Sequence, residues 1–318
     1  MITILSGGTG TPKLIEGLRH LVRDEELTVI VNTADDIWWN GLYVSPDVDT
    51  VLYLFANILD TEKYWGIQGD TFYALKQLTR YDAEWTWFSI GDKDLATHII
   101  RTYLLKKGLK LHEIVKYLSR KLGVKATILP MSNDRVETIV ETDIGVMNIQ
   151  EYLVKYRAEP EVYNVKFPGL ERALPAPGVI DSIRNAEIVI IGPSNPINSI
   201  GPIINLKKVR ETLRKTEIPI VAVSPIISGK PVSGPADKFM KALGYDPSPI
   251  GIVEIYKDFL DGIIIDVADK VYVEKIERKY GIKAKATNTI MLTLKAVSYT
   301  HLRAHETRHD LVCRLLLE

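Results

Sequence analysis

The sequence predicts an α/β protein of the Rossmann-like, doubly wound kind: a mostly parallel sheet carrying a helical insertion or cap. Three observations carry this reading. Short apolar runs recur along the chain (ITILS, LTVIV, EIVIIG, IPIVAV, GIIID), apolar throughout as strands buried on both faces are. Stretches with helical periodicity lie between them, so strands and helices alternate. Every distinctive loop follows a strand, the end at which open parallel sheets bind ligands.

In chain order, MITILSGG is a strand that breaks at Gly7-Gly8. TGTPKLIEGLRHLV leads into a helix, with Thr11 as its N-cap and Pro12 at the first helical position. LTVIVNT returns as a second strand, closing a right-handed βαβ unit in about 33 residues. A second helix starts in SPDVDTVLYLFANIL, capped by Ser45, with Pro46 in its first turn and Leu52, Phe55 and Leu59 on one face. Residues 61–124 read as mainly helical and aromatic (Trp65, Phe72, Trp85, Trp87, Phe88), an insertion contributing to the site. ATILPMS and VETIVET are strands, and Asp143-Ile144-Gly145 turns into another. The α/β rhythm then resumes: EIVIIG as strand, Leu206 to Lys215 as helix, IPIVAVSPII as strand, Ala236 to Leu243 as helix, GIIIDVAD as strand. Segments 1–60 and 125–295 thus form the nucleotide-binding core.

The stretch 297–318 differs in composition. It holds His301, His305 and His309, three of the six histidines, and the single cysteine, Cys313. Imidazoles four apart share a helix face and can ligate zinc. The abrupt shift, however, reads as a non-native, adapter-derived tail, set aside as one would a tag.

Bulk composition excludes several classes. Hydrophobic residues make up 46% and charged residues 25%, so the chain is not disordered, collagen-like or coiled-coil. Forty Lys and Arg balance forty Asp and Glu, which argues against a nucleic-acid partner. One cysteine leaves no internal disulfide and no cysteine-based zinc or iron–sulfur site. No apolar run reaches about 18 residues, so no membrane partner is expected. The N-terminus lacks a basic leader, and a cytoplasmic location is expected.

Six loops carry the chemistry. Gly7, Gly8, Thr9, Gly10, Thr11 and Lys13 surround a helix N-terminus, which favours phosphate. The loop is neither a Walker A motif nor a clean G-x-G-x-x-G; a plain tight turn is the alternative. Asn32, Thr33, Asp35 and Asp36 end the second strand, where an acidic residue can bind ribose hydroxyls. Asp47 and Asp49 open the second helix. Dipole complementation explains Asp47 plainly; Asp49, deeper in the turn, suits a Mg²⁺ ion or a hydroxyl to be activated. Gly91-Asp92-Lys93-Asp94 opens another helix, with His98 read as a partly buried structural residue. Gly192 to Pro202 is dense in small polar residues and prolines, including Ser194, Asn195 and Ser199, and suits a rigid loop reading a base or sugar. Ser224, Lys230, Ser233 and Gly234 belong to a last anion cradle, Lys230 offsetting phosphate charge.

Taken together, SGGTGTPKL, NTADD with SPDVDTVLYL, WGIQGDTF, IGDKDLATH, ILPMS, IGPSNPINSIGPI and SPIISGKPVSGPA resemble the 2-phospho-L-lactate transferase (CofD) family, in order and from residue 1 to about 295. The resemblance implies a Mg²⁺-dependent transferase of coenzyme F-420 biosynthesis. It implies that a phospholactyl group, or phosphoenolpyruvyl in some members, moves from a guanosine-diphosphate-linked donor to 7,8-didemethyl-8-hydroxy-5-deazariboflavin (FO), releasing GMP. Asp49 would then hold Mg²⁺ or take the acceptor proton, with Asp47 and Asp36 as further candidates, Asp36 for the metal. Ser194, Asn195, Ser199 and the Gly192 backbone would read guanosine, and Trp38, Trp39 and Trp65 would stack on the deazaflavin. The residue two before Gly91, often basic or polar in the family and near FO, is here Ser89.

Two rivals remain. CofD-like regulators without transferase activity share the glycine start and bind nucleotide sugars, but carry a Gly/Ser-rich segment after the acidic pair. Here Ile37-Trp38-Trp39-Asn40-Gly41 and SPDVD stand instead. An NAD-dependent oxidoreductase would need a cleaner glycine fingerprint. A homodimer is the expected assembly for a fold of this size.

Overall fold

Strands with no polar face must be covered on both sides, and the computed structural model, which describes residues 1–290, places them so. The segment 297–318 lies outside the described residues. Seven strands form the central sheet: β1 (Ile2–Ser6), β2 (Leu27–Val31), β3 (Thr127–Pro130), β4 (Ile188–Ile191), β5 (Ile220–Val223), β6 (Gly262–Asp266) and β7 (Lys283–Thr287). Every neighbouring pair is parallel, and the spatial order is 3-2-1-4-5-6-7. This is the doubly wound Rossmann order with one strand added at the edge. The order reverses between β1 and β4, so the loops leaving these two strands border one crevice.

Alternation along the strands builds two cores. Ile4, Val29, Ile190 and Val221 enter one; Leu5, Ile30, Val189 and Ala222 enter the other. The first is covered by helices α1 (Gly10–Leu18), α2 (Pro46–Phe55) and α5 (Leu111–Lys121) through Ile15, Val51, Leu52, Ile114 and Val115. Between α2 and α5 come α3 (Tyr73–Arg80) and α4 (Asp92–Lys106). The helix α5 packs in the sheet's own core and is the crossover into β3, while a smaller cluster of Ile37, Trp39, Val44 and Ile90 lies beside α3 and α4. The second core is covered by helices including Ile200–Asn205, Lys207–Lys215 and Pro249–Tyr256.

The local expectations hold with specific differences. Neither predicted cap uses its side chain. Helix α1 starts at Gly10 with Thr9 outside it, which puts Thr11 within the first turn. Ser45 does precede α2, but its hydroxyl donates to Asp36 Oδ1 at 2.7 Å. Leu59 is buried beyond the end of α2 rather than on it. Sequence reading missed the hairpin Ile37–Trp39/Leu42–Val44, the third strand Val162–Lys166 of the small antiparallel sheet, helices Pro249–Tyr256 and Val273–Tyr280, and β7.

Candidate active site

The glycines of the β1–α1 loop are dictated first by the neighbouring loop. A Cβ on Gly10 would fall under 3.0 Å from the Pro193 carbonyl oxygen, and one on Gly7 would lie 2.6 Å from Ser199 Cβ. A Cβ on Gly192 would strike the Thr11 side chain. Ser194 stitches the two loops together. Its Oγ accepts the Gly7 and Thr11 amides at 3.2 and 3.3 Å and shares a 2.7 Å hydrogen bond with the Thr11 hydroxyl. The loops after β1 and β4 thus interlock at the point where strand order reverses.

Beside this junction opens a cleft of about 470 Å³. Its wall takes Gly8, Thr9 and Gly10 from the start of α1, Asp47 and Asp49 from α2, and Asp94 and His98 from α4. It takes Ser194, Asn195, Asn198 and Ser199 from the loop after β4, and Ser233 and Gly234 from the loop after β5. Four aspartates line it, against one Lys or Arg among the described residues, Lys63.

Two of those aspartates form an uncompensated pair. Asp47 lies against Gly8 and accepts Asn32 Nδ2 at 3.0 Å. Asp35 accepts Thr138 Oγ1 at 2.7 Å and Asn198 Nδ2 at 2.9 Å. Burial pushes Asp35 up to about 6, against the pull of those hydrogen bonds. Burial and the charge of Asp35 push Asp47 up to about 8, against the hydrogen bonds from Asn32 and the Gly8 amide. Among the described residues, neither carboxylate has a cationic side chain on it. Two hard oxygen donors, short of positive charge and beside an anion cradle, are the donor set that Mg²⁺ shares with substrate phosphates.

The carboxylates expected to hold a metal, Asp36 and Asp49, sit differently. Asp36 does not line the cleft; it accepts Ser45 Oγ at 2.7 Å and the Tyr43 hydroxyl at 2.9 Å, and burial raises it well above the usual carboxylate range. Asp35, one residue earlier, is the acidic side chain that faces the site. Asp49 does line the cleft, but its charge is already matched. Arg101 Nη1 donates to Asp49 Oδ2 at 3.0 Å, and Nη2 pairs with Oδ1.

Asp49 belongs to a network that sequence reasoning missed. Arg101 is fully buried, and burial opposes its charge, but Asp49 more than offsets this and keeps the guanidinium charged. Arg101 Nη1 also lies 3.1 Å from His98 Nδ1. His98 Nε2 is 3.2 Å from Asp94 Oδ1, off the line of a good hydrogen bond. The Tyr53 hydroxyl donates to the same Asp94 oxygen at 2.6 Å. Burial raises Asp94, but His98, Tyr53 and Arg101 together hold it below its ordinary value. The periodic i, i+4, i+7 spacing of Asp94, His98 and Arg101 on α4 was the available signal.

The remaining expected residues divide. Trp65, 43% exposed, and Ser89 line the cleft beside Tyr53, Phe88 and Val154. Trp39, 2% exposed, is a core residue whose Nε1 donates to the Trp85 and Phe88 carbonyls, so it cannot stack on a ligand. Trp38 is exposed outside the cleft and meets Tyr43 edge-on. Gly7, Thr11 and Gly192 serve the loop junction, and Asn32 acts through Asp47. Lys13 Nζ sits 4.7 Å over the Tyr64 ring. Ser224 closes its own turn onto Ile226, and Lys230 lies in an exposed hairpin away from the wall.

Known proteins resemble this chain over most of its length. A family model described as 2-phospho-L-lactate transferase CofD matches residues 2–302. The chain is 49% identical to the 2-phospho-L-lactate transferase of Methanothermobacter thermautotrophicus, over 87% of this chain and 89% of that one. It is 46% identical to the enzyme of that name from Methanosarcina mazei, over 91% and 94%. The one from Methanocaldococcus jannaschii is 45% identical, over 92% and 94%. Among solved structures, a UPF0052-family protein from Bacillus halodurans shares the fold, with a TM-score of 0.61, 16% identity, and coverage of 90% of this chain and 92% of that one.

Proposed function

Since the chain belongs to the 2-phospho-L-lactate transferase CofD family, we propose that its cleft transfers a phospholactyl or phosphoenolpyruvyl group from a guanosine-diphosphate-linked donor to the side-chain hydroxyl of FO, releasing GMP in coenzyme F-420 biosynthesis. The observation that carries this reading is the pairing, in one cleft, of an acidic, cation-hungry floor at a helix N-terminus with an aromatic wall beside a fixed carboxylate. A bare anion would meet no cation beside Asp35 and Asp47 among the described residues. A diphosphate arriving with a divalent cation would bring its own.

Phosphoryl transfer is mostly positioning and charge stabilisation. The Gly8 amide is already on Asp47, and the amides of Thr9 and Gly10 at the start of α1 would turn their partial positive charge toward the diphosphate. Asp35 and Asp47 would hold Mg²⁺, which when bound supplies the charge that offsets the phosphates. Asn195 and Ser199 border the same end and would contact the guanosine; Asn195 already fixes its loop by accepting the Ile197 amide at 2.9 Å. Trp65 offers the acceptor's ring a half-exposed face. Asp49, fixed by Arg101, accepts the hydrogen bond of the attacking hydroxyl and aligns its oxygen. That oxygen bonds to the phosphorus carrying the three-carbon group, the bond from that phosphorus to the GMP oxygen breaks, and the hydroxyl proton passes to a carboxylate of the cleft.

The test is turnover of FO with Mg²⁺ and each donor in turn, lactyl- and enolpyruvyl-2-diphospho-5'-guanosine, followed by product mass. Product with either donor supports the reading and identifies the three-carbon group. No product with either, alongside tight nucleotide-sugar binding, overturns it in favour of a regulator.

A further inference from the structure

The transferred group carries a charge that no residue has yet been given to meet. A lactyl or enolpyruvyl group bears a carboxylate, which stays ionised through the transfer and remains on the product. Resting on the transferase reading above, we propose that Lys63 binds this carboxylate and makes the cleft specific for donors that carry one.

The charges of the cleft leave this place to Lys63. The diphosphate falls to the start of α1 and to a divalent cation. Asp49 is matched by Arg101, and Asp94 has the Tyr53 hydroxyl and His98 beside it. Lys63 is the one Lys or Arg of the wall among the described residues. A carboxylate entering among aspartates has no other side-chain cation to meet there.

The fold presents this lysine on a fastened loop. The Asp60 amide donates to the Gly66 carbonyl at 3.1 Å, and the Gln68 amide to the Ile58 carbonyl at 2.8 Å, closing residues 60–66 at their base. Inside the loop, Asp60 Oδ1 accepts the Glu62 and Lys63 amides at 3.1 and 3.3 Å. Tyr64 adopts a left-handed backbone (φ 58°). Its hydroxyl donates to Glu16 Oε2 at 2.5 Å, and Lys13 Nζ lies 4.7 Å over its ring. Tyr64 thus pins the loop to α1, the helix whose start faces the diphosphate. Lys13 is three positions after Gly10, about 4.5 Å along the helix axis. The neighbours of Tyr64, Lys63 and Trp65, both line the cleft, and Lys63 Nζ stands 5.3 Å over the Trp65 ring. The cation is therefore held beside the acceptor's aromatic wall by the same helix that faces the donor's phosphates.

Lys63 is paired in the empty cleft: its Nζ lies 3.0 Å from Asp60 Oδ2. The lysine is half-exposed and such a pair is weak. It occupies one of the three ammonium N–H groups and leaves two for a ligand. A point charge on a flexible stem follows a carboxylate through small changes of geometry. Lys63 therefore does not choose between lactyl and enolpyruvyl; it separates both from a group that ends in uncharged alkyl.

The experiment compares two donors on the full chain with Mg²⁺: whichever of the lactyl and enolpyruvyl donors wild type turns over with FO, and the β-ethyl ester of GDP, which lacks the carboxylate. Affinity is read by calorimetry, and kcat/KM by product mass. Wild type is expected to favour the carboxylate donor by roughly tenfold or more. Lys63→Met should lose most of that preference while binding the ethyl ester as wild type does, and Lys63→Arg should keep most of it. A wild type without the preference, or a Lys63→Met variant that retains it, overturns this inference and leaves the transferase reading standing. Equal loss of both donors in Lys63→Met marks a structural role and overturns it too. If wild type makes no product from FO with either natural donor, both readings fall. Should Lys63→Met prove misfolded by circular dichroism, Lys63→Gln takes its place under the same criteria.

Discussion

Asp49 and Arg101, 52 positions apart, meet as a closed pair in which both carboxylate oxygens face both terminal guanidinium nitrogens. Removing either partner strands the other. Arg101→Met is expected to cost about 3–5 kcal/mol of stability, and Asp49→Ala a similar amount. Asp49→Asn keeps the shape and one acceptor oxygen, so it should fold, bind donor normally and lose turnover by at least about 10²-fold, the low end for a group acting on the transferred proton. Chemical denaturation and steady-state kinetics check the two halves. Wild-type turnover in Asp49→Asn would remove this residue from the chemistry.

The Asp35–Asp47 pair makes stability depend on pH in a direction opposite to that of ordinary surface carboxylates. Both groups are raised in the folded protein, so the folded state binds their protons more tightly than the unfolded state does. The stability this contributes is complete below the ordinary carboxylate range and is lost as pH rises through about 6 and then about 8. Metal-free protein should therefore melt lower at pH 8 than at pH 5.5. Added Mg²⁺ should raise Tm at pH 8 and do little at pH 5.5. In Asp47→Asn most of that pH dependence should disappear, as scanning calorimetry with and without EDTA would show.

The loop junction predicts a graded response to small side chains. Gly10→Ala pushes a methyl into the Pro193 carbonyl and is expected to destabilise by about 1–3 kcal/mol while weakening donor binding. Ser194→Ala leaves the Gly7 and Thr11 amides without their acceptor, at about 1–3 kcal/mol. Gly8→Ala instead meets Asp47 Oδ1, the end of a side chain, so it should spare the fold and lower Mg²⁺ affinity. Calorimetric Mg²⁺ titration separates the last variant from the first two.

The two tryptophans should part company. Trp65→Ala removes a half-exposed indole, so it should raise the KM for FO with little change in Tm. Trp39→Ala empties a fully packed site and should cost about 3–5 kcal/mol. Equal effects of the two on acceptor KM would count against a stacking role for Trp65.

The sheet was legible because its inner strands are apolar on both faces: ITILS, LTVIV and IVII have no reading as loop or amphipathic helix. The edge strand β7, KAKAT, was not, because an edge needs covering on fewer sides and admits lysine. Helix Pro249–Tyr256 is buried nearly all round and so lacks the polar stripe that betrays a helix. In the site, the glycine loop and the Asp47–Asp49 spacing could be read locally. The choice of Asp35 over Asp36 could not, since neighbouring residues point opposite ways and only Thr138 and Asn198, more than a hundred positions on, show which side is the cleft. Arg101 was hidden for the same reason: its partner is set by how α4 packs across α2, not by anything within α4.

The interlocked loops after β1 and β4 also bear on how this protein can change over generations or in a designer's hands. Gly10 and Pro193, Gly192 and Thr11, and Gly7 and Ser199 are opposing halves of one mould, cut from stretches of chain over 180 positions apart. A single enlarging substitution on either side collides before any substrate arrives. Altered ligand preference is therefore easier to reach through the loop after β5 at Ser233, which meets the cleft outside the mould, than at its neighbour Gly234, whose left-handed backbone (φ +64°) a side chain would strain. The mould itself yields only to paired replacements that trade volume across the seam.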